Sequence, residues 1–292
     1  MGCRESTQDF QPYATGKYER FAIHLCASSA SFASRRLTRS VNVPSIIARV
    51  LPRFLGEAFD YTAGTARLAD DEARHLSQVL RLGPGDEIAV FDGRGREFRA
   101  TVTSVSRDGA ELRIVEEMAA APEPAVRLTL AQAVIKGEKM DDVVRDATMM
   151  GVVAIEPLIT EHTAAHMKAG RAPERWRRIA VASAKQCRRA VVPAIGAGLT
   201  FDDWLAQDRA ACRMMLIEPT VSVEGHHLSA IAGTRPESAS VLVGPEGGWG
   251  AREIDAAVRA GWVPITLGRR TLRADAVPIV AIGLLQFVWG DL

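Results

Sequence analysis

Cysteine is scarce. Cys3, Cys26, Cys187 and Cys212 lie far apart in 292 residues, and no two form a CxxC pair. That spacing argues against a zinc site or a disulfide framework and for a reducing compartment, the cytoplasm. His162 and His166 stand four apart, but without a third ligand or an HExxH frame no metal is expected there. Charge of one sign is also lacking. The formal net charge is +1, so any grip on nucleic acid must come from a local patch. Neither phosphate-loop pattern, GxxxxGK[ST] or GxGxxG, is present. The longest late apolar run is broken by Gln286 and is too short to span a bilayer, so no membrane partner is expected. What remains is a chain with 47% hydrophobic residues, enough to bury the cores of two domains.

Residues 1–50 carry Arg4, Lys17, Arg20, Arg35, Arg36, Arg39 and Arg49 against Glu5, Asp9 and Glu19, around the stretch CASSASFASRR. With no helix or strand period, they read as a disordered extension, a transit peptide being the alternative. Residues 51–120 hold short strands. Those at 87–91 and 97–105 flank the hairpin turn Asp92-Gly93-Arg94-Gly95, and a third lies at 111–115. A helix is predicted over 70–82, with Ala73, Leu76, Val79 and Leu80 on its apolar face. This is the pattern of a small β-barrel. Arg53, Arg74, His75, Arg81, Arg94 and Arg96 make a candidate RNA-contacting edge on it, since basic barrels grip RNA by shape and phosphate.

The AAAPEP stretch at 119–124 reads as a linker to a second domain over 126–292. There strands alternate with helices, at 128–134, 152–159 and 214–217, which argues for a mostly parallel α/β sheet. The first helix carries Met140, Val143, Val144 and Ala147 at i, i+3, i+4, i+7 and stops at Gly151. Between 168 and 189 the cations Lys168, Arg171, Arg175, Arg177, Arg178, Lys185, Arg188 and Arg189 face only Glu174. This density points to phosphate contact, with Arg178, Lys185 and Arg189 on one side of a helix. Cys187 has no histidine near it in sequence and reads as packing.

The stretch 241–286 organises the rest. An apolar strand (Val241, Leu242, Val243) ends in Gly244-Pro245-Glu246-Gly247-Gly248. A helix with Ile254, Ala257 and Val258 on one face follows and stops at Gly261. A second strand over 264–267 runs into Gly268 and the turn Arg269-Arg270-Thr271-Leu272-Arg273. The last segment, 275–288, is apolar almost all round, which predicts a buried helix. Such a helix needs more cover than one small domain offers, so a homodimer packing there is expected. Two loops after neighbouring parallel strands form the usual ligand crevice of an α/β sheet. Glycines bring bare backbone to the ligand. Glu246 would repel a phosphate and suits a cationic or donor-rich ligand.

VGPEGG, a helix, then LGxxxLR and a buried helix resemble the carboxyl-terminal half of SPOUT-class methyltransferases. ARHLSQVLRLGPGDEIAVFDGRG, KGEKMDDVVRDATMMGVVAIEPL and SAKQCRR narrow the resemblance to the RsmE family. It spans residues 52–292. The resemblance implies a PUA-like amino-terminal barrel and a trefoil-knotted methyltransferase domain. It also implies S-adenosylmethionine as cofactor and N3 of a uridine in small-subunit ribosomal RNA, free or in the assembled subunit, as target. It places the cofactor against Ile217, Glu218, Val243, Gly244, Pro245, Glu246, Gly247, Gly248, Leu267, Gly268, Thr271, Leu272 and Arg273. RNA contacts fall to Gln186 and Arg189 through an EQxxR-like signature, joining Arg53, Arg74, His75 and Arg81 of the barrel. By the same analogy Arg273 stabilises the uracil anion, while Asp275 and Glu246 both qualify as proton acceptor. Asp146, Met149 and Ala276 depart from the family pattern. A methyltransferase acting elsewhere on RNA and a non-catalytic RNA-binding protein of the same fold are the competing readings.

Overall fold

The computed structural model describes residues 51–163, 172–221, 226–231 and 235–292. The expectations for residues 1–50, His166, Lys168 and Arg171 lie outside the described residues.

Six strands form the first sheet: β1 (Arg53–Leu55), β2 (Ala58–Asp60), β3 (Thr65–Leu68), β4 (Glu87–Phe91), β5 (Glu97–Ser106) and β6 (Gly109–Met118). Their order is β1-β4-β5-β6-β3-β2, antiparallel except for β1 against β4. The sheet curls around Phe54, Leu68, Leu76, Ile88, Phe98 and Leu112. The amide nitrogens of Gly56 and Glu57 donate to Phe91 O (2.9 Å) and Arg67 O (2.8 Å), tying the β1–β2 connection to both β4 and β3. The predicted helix is only partly regular. α1 (Asp70–Arg74) runs into a π-turn, His75–Val79. The wider turn rotates later residues off the apolar face. Ala73 and Leu76 are buried as expected, whereas Val79 is 64% exposed and Leu80 is exposed too.

The second sheet is parallel throughout. It contains β7 (Arg127–Ala133), β8 (Ala154–Ile159), β9 (Ala194–Ile195), β10 (Leu199–Thr200), β11 (Cys212–Leu216), β12 (His226–His227), β13 (Ser238–Val243) and β14 (Val263–Thr266). The order is β10-β8-β7-β13-β11-β14-β12, with β9 on β8. Side chains alternate between two cores, as strand geometry requires. Leu130, Met214, Val241 and Val243 pack against α2 (Lys139–Met149), α3 (Ala172–Cys187) and α6 (Val277–Trp289). Ala131, Met215 and Leu242 pack with α4 (Phe201–Gln207) and α5 (Ala251–Arg259). Helices thus cover both faces.

Two helices differ from expectation. On α5, Ile254 and Ala257 are buried but Val258 is exposed, and Glu253 takes an inward place. Its carboxylate accepts from Gly250 N (3.0 Å) and Glu161 N (2.9 Å), which offsets the cost of burying it. On α6, Ala281, Ile282, Leu285 and Trp289 are buried, while Ile279, Val280, Leu284 and Phe287 form an uncovered apolar face. Gln286 is buried and donates through Nε2 to Met150 O at 2.9 Å.

Candidate active site

The carboxyl ends of β13, β11 and β14, neighbours in that order, open onto one pocket of about 470 Å³. Its walls come from β13 through Val243 to Gly248, β11 through Ile217 and Glu218, and β14 through Leu267 and the turn Thr271, Leu272, Arg273. The two loops read from sequence therefore face the same space. Gly268 is not in the lining; its φ of +85° makes it the bend that swings the second loop over.

The first loop is shaped by what stands behind it. A Cβ on Gly244 would come 3.1 Å from the Trp249 ring, and one on Gly247 would come 2.9 Å from His162 Cβ. Trp249 is held by its Nε1 donating to Leu216 O (2.8 Å) and by its tilted packing on Phe201. His162 Nδ1 lies 3.2 Å from Gly248 O, so this histidine backs the loop. Among the described residues, no group of three or more His, Cys, Asp or Glu side chains is placed to hold a metal.

Charge is concentrated at the rim. Glu246 Oε1 accepts from Lys136 N (3.1 Å) and lies 3.6 Å from Lys139 Nζ. Asp275 accepts two bonds from Arg273, from Nε at 3.1 Å and Nη2 at 3.0 Å, and lies 3.9 Å from Lys139 Nζ. Burial acts to raise the Asp275 pKa. The Arg273 fork, a backbone hydrogen bond and the Lys139 charge outweigh it and hold that carboxyl below its ordinary value. Arg273 itself is 73% exposed. Lys139, Trp249 and Arg270 line the pocket without having been singled out from the sequence. The signal for Lys139 was the KGEKMD stretch just beyond β7, and Trp249 directly follows GPEGG.

The residues read as RNA-contacting divide. Arg74, His75, Arg81 and Gln186 are exposed, Arg74 in an ion pair with Asp70. Arg53 and Arg189 are not available, which corrects the reading of both. Arg53 joins the first sheet to the end of α3: it forks onto Glu97 (2.7 and 3.1 Å) and donates to Ala184 O (3.0 Å), Lys185 O (2.9 Å) and Arg189 O (3.2 Å). Arg189, its side chain 6% exposed, pairs with Glu123 and donates to Thr148 O and Val152 O. Each guanidinium meets a carboxylate and backbone carbonyls near a helix or strand end, and burial follows from that fit. Lys185 likewise pairs with Glu72 at 2.8 Å, so it and Arg189 do not share a free basic side with exposed Arg178. Arg175 pairs with Asp141. Arg177, Arg178 and Arg188 remain exposed.

A parallel sheet whose loops close on one pocket, joined to a small curled sheet with a basic rim, is the build of an RNA-modifying α/β enzyme. The family model for the RNA methyltransferase domain matches residues 122–286, and that for the RNA methyltransferase PUA domain matches residues 68–115. The ribosomal RNA small subunit methyltransferase E of Synechocystis sp. is 33% identical over 225 residues, 76% of this chain and 73% of that protein. The Bacillus subtilis protein of that name is 28% identical over 77% of this chain and 91% of its own length. Among solved structures, the Neisseria gonorrhoeae ribosomal RNA small subunit methyltransferase E bound to S-adenosyl methionine is 30% identical. It covers 83% of this chain and 99% of its own, with a TM-score of 0.74. A putative methyltransferase from Legionella pneumophila in complex with SAM is 26% identical over the same shares, with a TM-score of 0.75. The chain belongs to the ribosomal RNA small subunit methyltransferase E family.

Proposed function

We propose that this chain is an S-adenosylmethionine-dependent methyltransferase acting on N3 of a uridine in small-subunit ribosomal RNA, free or within the assembled subunit, in the cytoplasm. The observation that carries the reading is the convergence of the loops around Pro245 and Thr271 on one cavity. The cavity's volume suits a ligand of cofactor size. Ile217, Leu267 and Leu272 offer apolar walls for a flat ring, and bare glycine backbone offers donors and acceptors. Glu218 and Glu246 complement a positive charge. When bound, S-adenosylmethionine supplies a methyl on a sulfonium that leaves as a neutral thioether when the methyl passes to nitrogen.

The chain's own tasks are to hold the base in line, take its N3 proton and stabilise the anion left behind. Asp275 is engaged by two Arg273 donors and so is the poorer proton acceptor; the role falls to Glu246. Arg273 lines the pocket and bonds Asp275 through Nε and Nη2 only, which leaves Nη1 for the base. Of the departures from the family pattern, Asp146 pairs with Arg145, and neither Asp146 nor Met149 lines the pocket, which leaves the catalytic reading intact. The trefoil knot of the resembling class, a division into a barrel over 51–120 and a catalytic domain over 126–292, and a homodimer through the open α6 face belong to the same proposal. RNA is gripped by Arg74, His75, Arg81 and Gln186. Mass spectrometry of ribosomal RNA nucleosides with and without the gene tests it. Loss of N3-methyluridine is expected, and an unchanged nucleoside profile would end the reading.

A further inference from the structure

The rim holds a second cation that the expected mechanism does not use. Lys139 opens α2 just beyond β7 and lines the pocket. Its Nζ stands between Glu246 of the first loop, at 3.6 Å, and Asp275 of the second, at 3.9 Å. Both distances lie just beyond hydrogen-bond reach. The ammonium is therefore centred by two charges without being saturated by either, and a ligand oxygen can approach it more closely than both. Arg273, by contrast, already spends Nε and Nη2 on Asp275. A uracil that has lost its N3 proton carries the negative charge on two oxygens, O2 and O4, one on each side of N3. One cation answers only half of that anion.

We propose that Lys139 is a catalytic residue: its ammonium donates to one of the two carbonyl oxygens flanking N3, while Arg273 serves the other. This rests on the uridine-N3 reading above and adds to it a source of base specificity. Asp275, bonded to Arg273 and close to Lys139, spaces the two cations. A pyrimidine with an amino group in place of O4 would present donors to a cation and be rejected by an unmatched polar contact. A positive charge beside the ring also makes N3–H more acidic, so the proton leaves to Glu246 more readily.

The test compares wild type, Lys139→Met and Lys139→Arg as full chains, acting on small ribosomal subunits from cells lacking the gene. Cofactor affinity is measured separately by calorimetry with S-adenosylmethionine. Lys139→Met is expected to lower kcat by about 10²-fold or more, the scale of losing one charge-stabilising donor, with cofactor affinity close to wild type. Lys139→Arg should recover part of kcat. Because the lost charge acts on N3 acidity, raising the pH, or replacing uridine by the more acidic 5-fluorouridine, should restore the Met variant more than wild type. A Met variant with normal kcat overturns the inference. So does one whose defect lies wholly in cofactor affinity, or one that gains no more than wild type from 5-fluorouridine. An inactive wild type would overturn the proposed function, and this inference with it.

Discussion

The junction between the first sheet and the end of α3 and the rim of the pocket use basic side chains in opposite ways. At the junction, Arg53 and Arg189 are closed off from solvent, each facing one carboxylate and several backbone carbonyls. At the rim, Arg273 and Lys139 stand open to a cavity and meet carboxylates that belong to different loops. A buried arginine with nearly every donor engaged has little to offer a ligand, and removing it takes the donors from its partners. A half-open cation with donors to spare is a poor structural element and a good recognition element. Charge density along the chain does not separate the two cases; burial and partner do.

The contrast is broken most sharply by exchanging readouts. Arg189→Ala takes the donors from Glu123 and from two carbonyls, and should cost about 3–5 kcal/mol of stability in denaturant unfolding. A loss well below that, with weakened RNA binding instead, would return Arg189 to the RNA surface. Arg273→Ala should leave stability unchanged and lower kcat by about 10²–10³-fold, with cofactor affinity within a few-fold; retained activity would remove its role. Phe287, 69% exposed on α6, should when changed to Asp convert a dimer to a monomer in light scattering at micromolar concentration while the melting temperature holds. A wild type already monomeric would dismiss the dimer. Gln186→Ala should weaken RNA binding by about 1 kcal/mol, the worth of one hydrogen bond, without touching stability. The smallest effect is on pH. Asp275 has a depressed pKa, so the tie it makes is complete above the ordinary carboxylate range and lost only as pH falls through the lower folded value. The Asp275 carboxyl, followed directly by carbon-13 NMR, should therefore titrate below the ordinary range, near pH 4. Titration at or above that range would mean that Asp275 is not held by Arg273.

Both loops could be read from the chain because each is a local event, a strand interrupted by glycine or by a polar turn. Their convergence on one pocket follows from the β13-β11-β14 order, which the alternating pattern allows but does not state. Lys139 was visible only as part of a motif, since its partners lie more than a hundred residues away. Shorter but still non-local separations, 44 and 66 residues, hid Arg53 and Arg189, whose carboxylates, Glu97 and Glu123, sit in other segments. Val79 and Leu80 were misplaced by a π-turn that a 3.6-residue period cannot show. That α6 would need cover from outside its own domain was legible in its all-round hydropathy, but hydropathy does not say which side stays open.

Gln286 has a reach beyond its own contact. Apolar packing is non-directional, so a helix like α6, greasy on every side, has little to stop it from slipping along its axis. A single donor aimed at Met150 O sets the axial position. Asp275 and Arg273 lie immediately before that helix, so any slippage would carry them along. Accuracy at the rim is thus anchored from the far end of a lever, and a leucine at 286 would preserve the bulk while letting the reactive end drift.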